Sequence, residues 1–224
     1  MTATATGLDL SSVVEGGLGL AWQVHASPSG LGVADLAGLA LRDNPRRAQL
    51  VVSRVLAKHL PVPGAVAEAA GHALGRSVAR LLGDGPPPVV LGYCETATAL
   101  GQLVAEACAG SDYVHTTRRP EPDVAVLGGF EEEHSHATSH VLQPRQPAPL
   151  SDRRRPLVLV DDELTTGTTV LNTVAELPPH DRVVVATLLD LRPPVARQAF
   201  AARAAERGVQ VRVVASLDGA LCVP

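Results

Sequence analysis

Aromatic side chains are nearly missing from this chain of 224 residues: one Trp, two Tyr and two Phe, 2% in all. A core must therefore be built from Ala, Val and Leu, and at 46% hydrophobic residues there is enough apolar material for one. Lysine is scarcer still, for Lys58 is the only one among 19 basic residues. Positive charge is not in excess: the formal net charge is -4 and the pI about 6.0. Bulk nucleic-acid binding needs a basic face and is not expected. The three cysteines, Cys94, Cys108 and Cys222, form no CxxC pair. That suits a reducing cytoplasm better than a disulfide scaffold. No basic n-region precedes an apolar h-region, and no apolar run reaches the roughly 18–20 residues of a membrane helix. A soluble cytoplasmic protein is expected, as one large domain or as a core with a small extra lobe.

The pattern along the chain changes near residue 88. Before it, residues 1–30 are Gly- and Ser-rich, with room for a short strand near Leu18–Val24. Asn44–His59 reads as a helix, with Asn44 as N-cap, Pro45 in the first turn and Pro61 ending it. A second helix fits Ala65–Leu82. After it, short apolar runs at Pro88–Gly92, Asp112–Thr117, Pro156–Asp161, Val183–Leu189 and Val209–Ala215 alternate with helical segments. Those segments are Glu95–Ala109, a helix ending at Leu177, and Val195–Arg207. Continuous apolar strands alternating with helices predict an α/β fold with a parallel sheet covered on both faces. Residues 1–60 are expected to form a hood or helical extension, and residues 61–224 the core. Between Arg118 and Arg155 lies a long, polar, Pro-containing stretch, a length usually reserved for function or disorder.

One segment carries chemistry. The buried strand Leu157–Val160 runs into Asp161-Asp162-Glu163-Leu164 and then Thr165-Thr166-Gly167-Thr168-Thr169, which opens a helix. Backbone amides, hydroxyls and the positive helix end make such a turn a phosphate site. Gly167 lets the backbone close on a phosphate without a Cβ in the way. Two carboxylates just upstream would repel a phosphate. They make sense as partners of sugar hydroxyls, or of a Mg²⁺ ion carried by the ligand. A phosphate and a diol on one ligand describe a ribose phosphate. Taken alone, the acid pair reads better as solvated side chains, and it is the whole string after a buried strand that points to a ligand.

The string resembles the motif by which type I phosphoribosyltransferases bind 5-phosphoribosyl-1-pyrophosphate (PRPP): an apolar strand, two acids, two variable residues and Thr-x-Gly-Thr. The resemblance implies that Asp161 and Asp162 meet the ribose hydroxyls and, directly or not, Mg²⁺. It implies that Thr165, Thr166, Gly167, Thr168 and Thr169 hold the 5′-phosphate. Glu163 stands where the family is usually apolar. Other segments resemble a narrower group, the orotate-phosphoribosyltransferase-like proteins encoded near bacterial tellurite-resistance and stress-response genes. These are Asn44–Arg47 with Val52–His59, Gly92–Thr98 with Gly101, Thr116–Arg118, and Glu132–His136 with His140. Together they span about residues 40 to 190.

That resemblance implies a pyrophosphate loop at Glu95, Thr96, Ala97 and Thr98, aided by Arg118, with Arg119 as a neighbour. From residue types alone, Glu95 and Thr96 also suit an ordinary helix start. Lys58 is a candidate phosphate or substrate ligand, with His59, Arg47 and Ser53 in the same signature. Glu131–His140 reads first as a loop that closes over PRPP, then as a solvated acidic loop, then as a metal site. The lysine that orotate-type enzymes carry there is missing, so Glu133, His134 and His136 become the catalytic candidates. The expected reaction transfers a phosphoribosyl group from PRPP to a small nucleobase-like or metabolite acceptor and releases pyrophosphate. A homodimer is implied, with no nucleic-acid or membrane partner. A PRPP-binding regulator on the same fold is the alternative. Acceptor stacking has only Trp22, Tyr93, Tyr113, Phe130 and Phe200 to draw on.

Overall fold

Leu157–Val160 and Val183–Asp190 are buried along their whole lengths, as strands covered on both faces must be. The computed structural model describes residues 10–43, 48–131 and 139–222. In chain order the elements are α1 (Leu10–Leu18), β1 (Ala21–Ala26), α2 (Val33–Leu36), β2 (Ala37–Leu41), β3 (Gln49–Ser53), α3 (Gly64–Leu82), β4 (Val89–Gly92), α4 (Ala97–Glu106) and β5 (Asp112–His115). They continue with β6 (Gly128–Glu131), β7 (Ser139–Leu142), α5 (Ala148–Ser151), β8 (Leu157–Leu164), α6 (Thr168–Glu176), β9 (Val183–Asp190), α7 (Pro194–Glu206) and β10 (Val211–Cys222).

Six strands form the main sheet in the order β1-β10-β9-β8-β4-β5. Its five core strands are parallel, which is the α/β architecture the alternating pattern implies. β1 is added antiparallel at one edge, pairing Ala21 with Cys222 and Val24 with Gly219. This strand lies within residues 1–60, so part of the expected hood is an edge of the main sheet. Helices α3 and α4 pack on each other and against the sheet, and α6 packs on α7. Right-handed crossovers put the pair α6 and α7, which step from β8 toward β10, on the face opposite α4, which steps from β4 to β5. Close contact of α4 with β4 depends on glycines: a Cβ on Gly101 would lie 2.9 Å from the Cα of Gly92.

The helix expected over Asn44–His59 is not there. Residues 49–53 form β3, which pairs antiparallel with β2 from Ala37 with Ser53 to Leu41 with Gln49. Residues 54–60 are irregular, with Ala57 at φ 54°. Val51 and Val52 suit a strand, and a run this short satisfies helical spacing by chance. Asn44, Pro45, Arg46 and Arg47 lie outside the described residues. Two further differences concern ends. β8 runs on through the acid pair to Leu164, because Asp161 pairs with Thr187 and Leu164 with Asp190. The stretch after Arg118 holds a hairpin, β6 with β7, in register Gly128 with Leu142 to Glu131 with Ser139.

Candidate active site

From β4 the chain steps outward to β5, and from β8 it steps the other way to β9 and β10. The reversal falls between β4 and β8, and ligands of open α/β sheets bind outside the carboxyl ends of the strands at such a point. A cleft of about 430 Å³ opens there. Its floor is the end of β8 and the turn into α6, Asp161 to Val170. One wall is Tyr93, Cys94, Glu95 and Thr96, which follow β4, with Arg118 beyond β5 and His140 on β7. The other wall comes from the β2–β3 hairpin and the segment after it: Arg42, Leu50, Val51, Lys58 and His59.

The turn after β8 is built to hold its shape. Gly167 sits in the left-handed region at φ 83° and is the N-cap of α6. A Cβ there would lie 2.3 Å from Cδ2 of Phe200. The Thr168 amide donates to the Thr166 hydroxyl at 3.2 Å, and the Thr173 hydroxyl donates to the Thr169 carbonyl at 2.8 Å. The first amides of α6 lack intrahelical partners and face the cleft end of the helix. Upstream, the Asp162 amide donates to Asp161 Oδ1 at 2.9 Å, which turns the Asp161 carboxylate along its own backbone.

Opposite, Lys58 Nζ donates to the hydroxyl of Thr96. Thr96 is the N-cap of α4 without capping it by its side chain. Its hydroxyl is turned to the cleft instead. His59 has Nδ1 shielded from solvent, with no hydrogen-bond partner among the described residues. Burial and the Lys58 charge hold the His59 imidazole below its ordinary pKa, against the pull of Asp162. Tyr93 is buried, and its hydroxyl meets Thr173 Oγ1 at 2.8 Å. Burial pushes that phenol well above its usual range.

The structure thus gathers Asp161, Asp162, Thr165, Thr166, Gly167, Thr168, Thr169, Glu95, Thr96, Arg118, Lys58 and His59 around one cleft. Other candidates are elsewhere. Ala97 is fully buried, and the Thr98 carbonyl accepts from the Tyr113 hydroxyl at 2.5 Å. Arg119 lines a separate groove beside β5. Ser53 is buried and accepts from the Val55 amide at 3.2 Å. Glu133, His134 and His136 lie outside the described residues. Of the five aromatic residues, only Tyr93 lines the cleft. Trp22 donates to Glu15 at 2.9 Å, Phe130 stacks on His140 at 5.0 Å, and Phe200 lies under Gly167. Arg42, Leu50 and Val51 join the cleft without a signal in the sequence, because a misread helix hid the hairpin that presents them.

Among the described residues no three His, Cys, Asp or Glu side chains cluster as a metal-holding group. Asp161 and Asp162 fit a divalent cation that a ligand brings with most of its oxygen donors. They do not fit a resident ion held by protein alone.

A carboxylate pair near the end of β8, a left-handed glycine in a threonine turn and a switch-point cleft come together on a doubly wound sheet. A family model described as phosphoribosyl transferase matches residues 36–220. The chain belongs to that family, in its type I fold. Solved structures share the architecture at low identity. APRTase from Giardia lamblia, complexed with 9-deazaadenine, is 20% identical with a TM-score of 0.55, over 84% of this chain and 98% of that one. Adenine phosphoribosyltransferase from Trypanosoma brucei, in complex with AMP, pyrophosphate and ribose-5-phosphate, is 14% identical with a TM-score of 0.57, over 87% and 81%. The Saccharomyces cerevisiae enzyme is 11% identical with a TM-score of 0.54, over 83% and 96%. None of the curated proteins matches the chain in sequence.

Proposed function

We propose that this protein transfers the 5-phosphoribosyl group of PRPP to a nitrogen of a small nucleobase-like acceptor and releases pyrophosphate. One observation carries the reading: the Thr165–Thr169 turn, the Asp161–Asp162 pair and the Lys58–Thr96 contact face one another across a single cleft. The 5′-phosphate rests on the turn and the α6 N-terminus. The ribose hydroxyls point to Asp161 and Asp162. The diphosphate lies toward Thr96, Lys58 and Arg118, where cationic donors offset its charge. A Mg²⁺ ion carried by the ligand would be met on the protein side by Asp161 and Asp162 and would supply neutralisation of charge on the leaving group. The protein's own part is placement and charge stabilisation as the C1–O bond breaks. The acceptor enters beside Leu50 and Val51, with Arg42 and His59 at hand. Glu133, His134 and His136 are the proposed groups for any proton the acceptor must lose. That some structural neighbours are adenine phosphoribosyltransferases supports a base as acceptor. The N-terminal hood is proposed to comprise α1, α2 and the β2–β3 hairpin.

The test pairs binding with turnover. The double variant Asp161→Asn, Asp162→Asn should weaken PRPP binding in the presence of Mg²⁺ at least tenfold, a loss of about 1.4 kcal/mol or more. Unchanged affinity would sink the placement of the ribose. Pyrophosphate release from PRPP should appear with one member of a panel of purine and pyrimidine bases. Tight PRPP binding without release for any acceptor would instead mark a regulatory PRPP-binding protein.

A further inference from the structure

Cys94 is the first residue after Tyr93 at the carboxyl end of β4, half-buried and opening on the cleft. Its backbone amide donates to the Thr116 hydroxyl at 2.9 Å. Its Sγ stands 3.5 Å from Nδ1 of His140, and Thr116 Oγ1 is 3.0 Å from the same nitrogen. Thr116 and His140 are almost fully buried, at 0% and 1% exposure. The His140 ring lies flat on Phe130, 5.0 Å between centroids at 8°, and edge-on to Tyr93 at 5.9 Å. The reaction proposed above does not use this pair.

We infer that Cys94 is a site of thiol–disulfide exchange, and that a mixed disulfide formed there blocks the diphosphate side of the cleft. The thiolate is the attacking species in such an exchange. Burial alone would raise the Cys94 pKa. The hydrogen bonds from His140 and Thr116, with the charges of His140 and Arg118, outweigh it and hold the thiol below its ordinary value. These are the groups that face Cys94 from β7, from the end of β5 and from the segment beyond it. The other two cysteines serve as internal controls. Cys108 is buried against the Gly75 carbonyl at 3.7 Å, and burial pushes its thiol up. Cys222 faces the side-chain oxygen of Gln23 at 3.6 Å rather than an imidazole.

The chemistry balances with a low-molecular-weight disulfide as co-reactant. The Cys94 thiolate attacks one sulfur, the S–S bond of the reagent breaks, a new S–S bond forms, and the departing thiolate takes up a proton. Cys94 is oxidised and half of the reagent is reduced to thiol. The added group then sits beside Glu95, Thr96 and Arg118. That this excludes PRPP rests on the functional reading above; the exchange itself does not.

The experiment exposes the full chain to oxidised glutathione and follows each cysteine by peptide mass mapping. Cys94 should react at least tenfold faster than Cys108 or Cys222. Its pH–rate midpoint should lie below the roughly 8.5 of an unperturbed thiol. The midpoint should move up in His140→Gln, and also in Arg118→Gln, which carries the test should the buried histidine variant fail to fold. Glutathionylated protein should lose PRPP binding and regain it on treatment with dithiothreitol. Equal rates at the three cysteines, or a modified protein that binds PRPP as before, would overturn the proposal. Should the reduced protein itself not bind PRPP, the functional reading and the blocking step fall together. Selective exchange at Cys94 would still uphold the modification site.

Discussion

Gly167 is where a single atom decides the most. Its φ of 83° is a conformation that L-residues avoid, and an added Cβ would meet Phe200 at 2.3 Å. Gly167→Ala should therefore cost about 1–3 kcal/mol of stability from strain alone. It should also weaken PRPP binding, because relief of the clash moves the amides proposed to hold the phosphate. Thermal denaturation and PRPP titration on the same preparation check both, and a variant with the parent's melting point and affinity would refute the account. At this scale the sequence was readable where the chemistry is local. The two acids, the threonines and Gly167 occupy one stretch, and all of them line one cleft. Lys58 was singled out, yet its partner Thr96 lies 38 residues away, and only the fold shows that they touch. Cys94 and His140 meet across 46 residues, so no spacing announces them as a pair.

The elements that support the turn are held by a buried ionic cluster at the end of β9. Asp190 accepts from Arg192 Nε at 2.9 Å and Nη2 at 2.8 Å, and from Arg197 Nη1 at 2.9 Å. Arg197 also reaches Asp218 on β10 at 2.7 Å. The Arg192 guanidinium lies 4.7 Å above the Phe200 ring, which in turn backs Gly167. A chain of contacts thus runs from β9, β10 and α7 to the Thr165–Thr169 turn. Asp190→Ala would leave Arg192, 5% exposed, as an uncompensated buried charge. The expected loss is about 3–5 kcal/mol, read as a lower urea midpoint with an unchanged slope, with weaker PRPP binding at low urea. A parent-like midpoint would show that Arg192 finds water or another partner. None of this cluster was foreseen, since Asp190, Arg192 and Arg197 look like ordinary surface charges next to a proline turn. The parallel strands and the helices between them were legible, because buried parallel strands are continuous apolar runs. β3 was not, because its five residues satisfy helical spacing as well as strand propensity, and its pairing with β2 decides the matter.

For the molecule as a whole, the cleft joins segments spread from Arg42 to Val170. A ligand that spans it must tie together β4, β8 and the hairpin on the far wall. Such a ligand binds the folded chain and not the unfolded one, so binding adds to stability by mass action, about 2.7 kcal/mol at a ligand concentration a hundred times its dissociation constant. For a protein of 150–250 residues each kcal/mol moves the melting temperature by about 2–4 °C. PRPP with Mg²⁺ should therefore raise it by about 5–11 °C near saturation. Ribose-5-phosphate, which on the proposed placement would engage the turn and the acid pair but not Thr96, Lys58 and Arg118, should give a smaller shift at the same concentration. Adding a chelator should cut the PRPP shift, because the diphosphate would then face Glu95 and the two aspartates without a cation between them. A PRPP shift that survives the chelator in full would remove Mg²⁺ from the binding scheme. A shift no larger than that of ribose-5-phosphate would remove the diphosphate role proposed for Thr96, Lys58 and Arg118, leaving a site for a sugar phosphate alone.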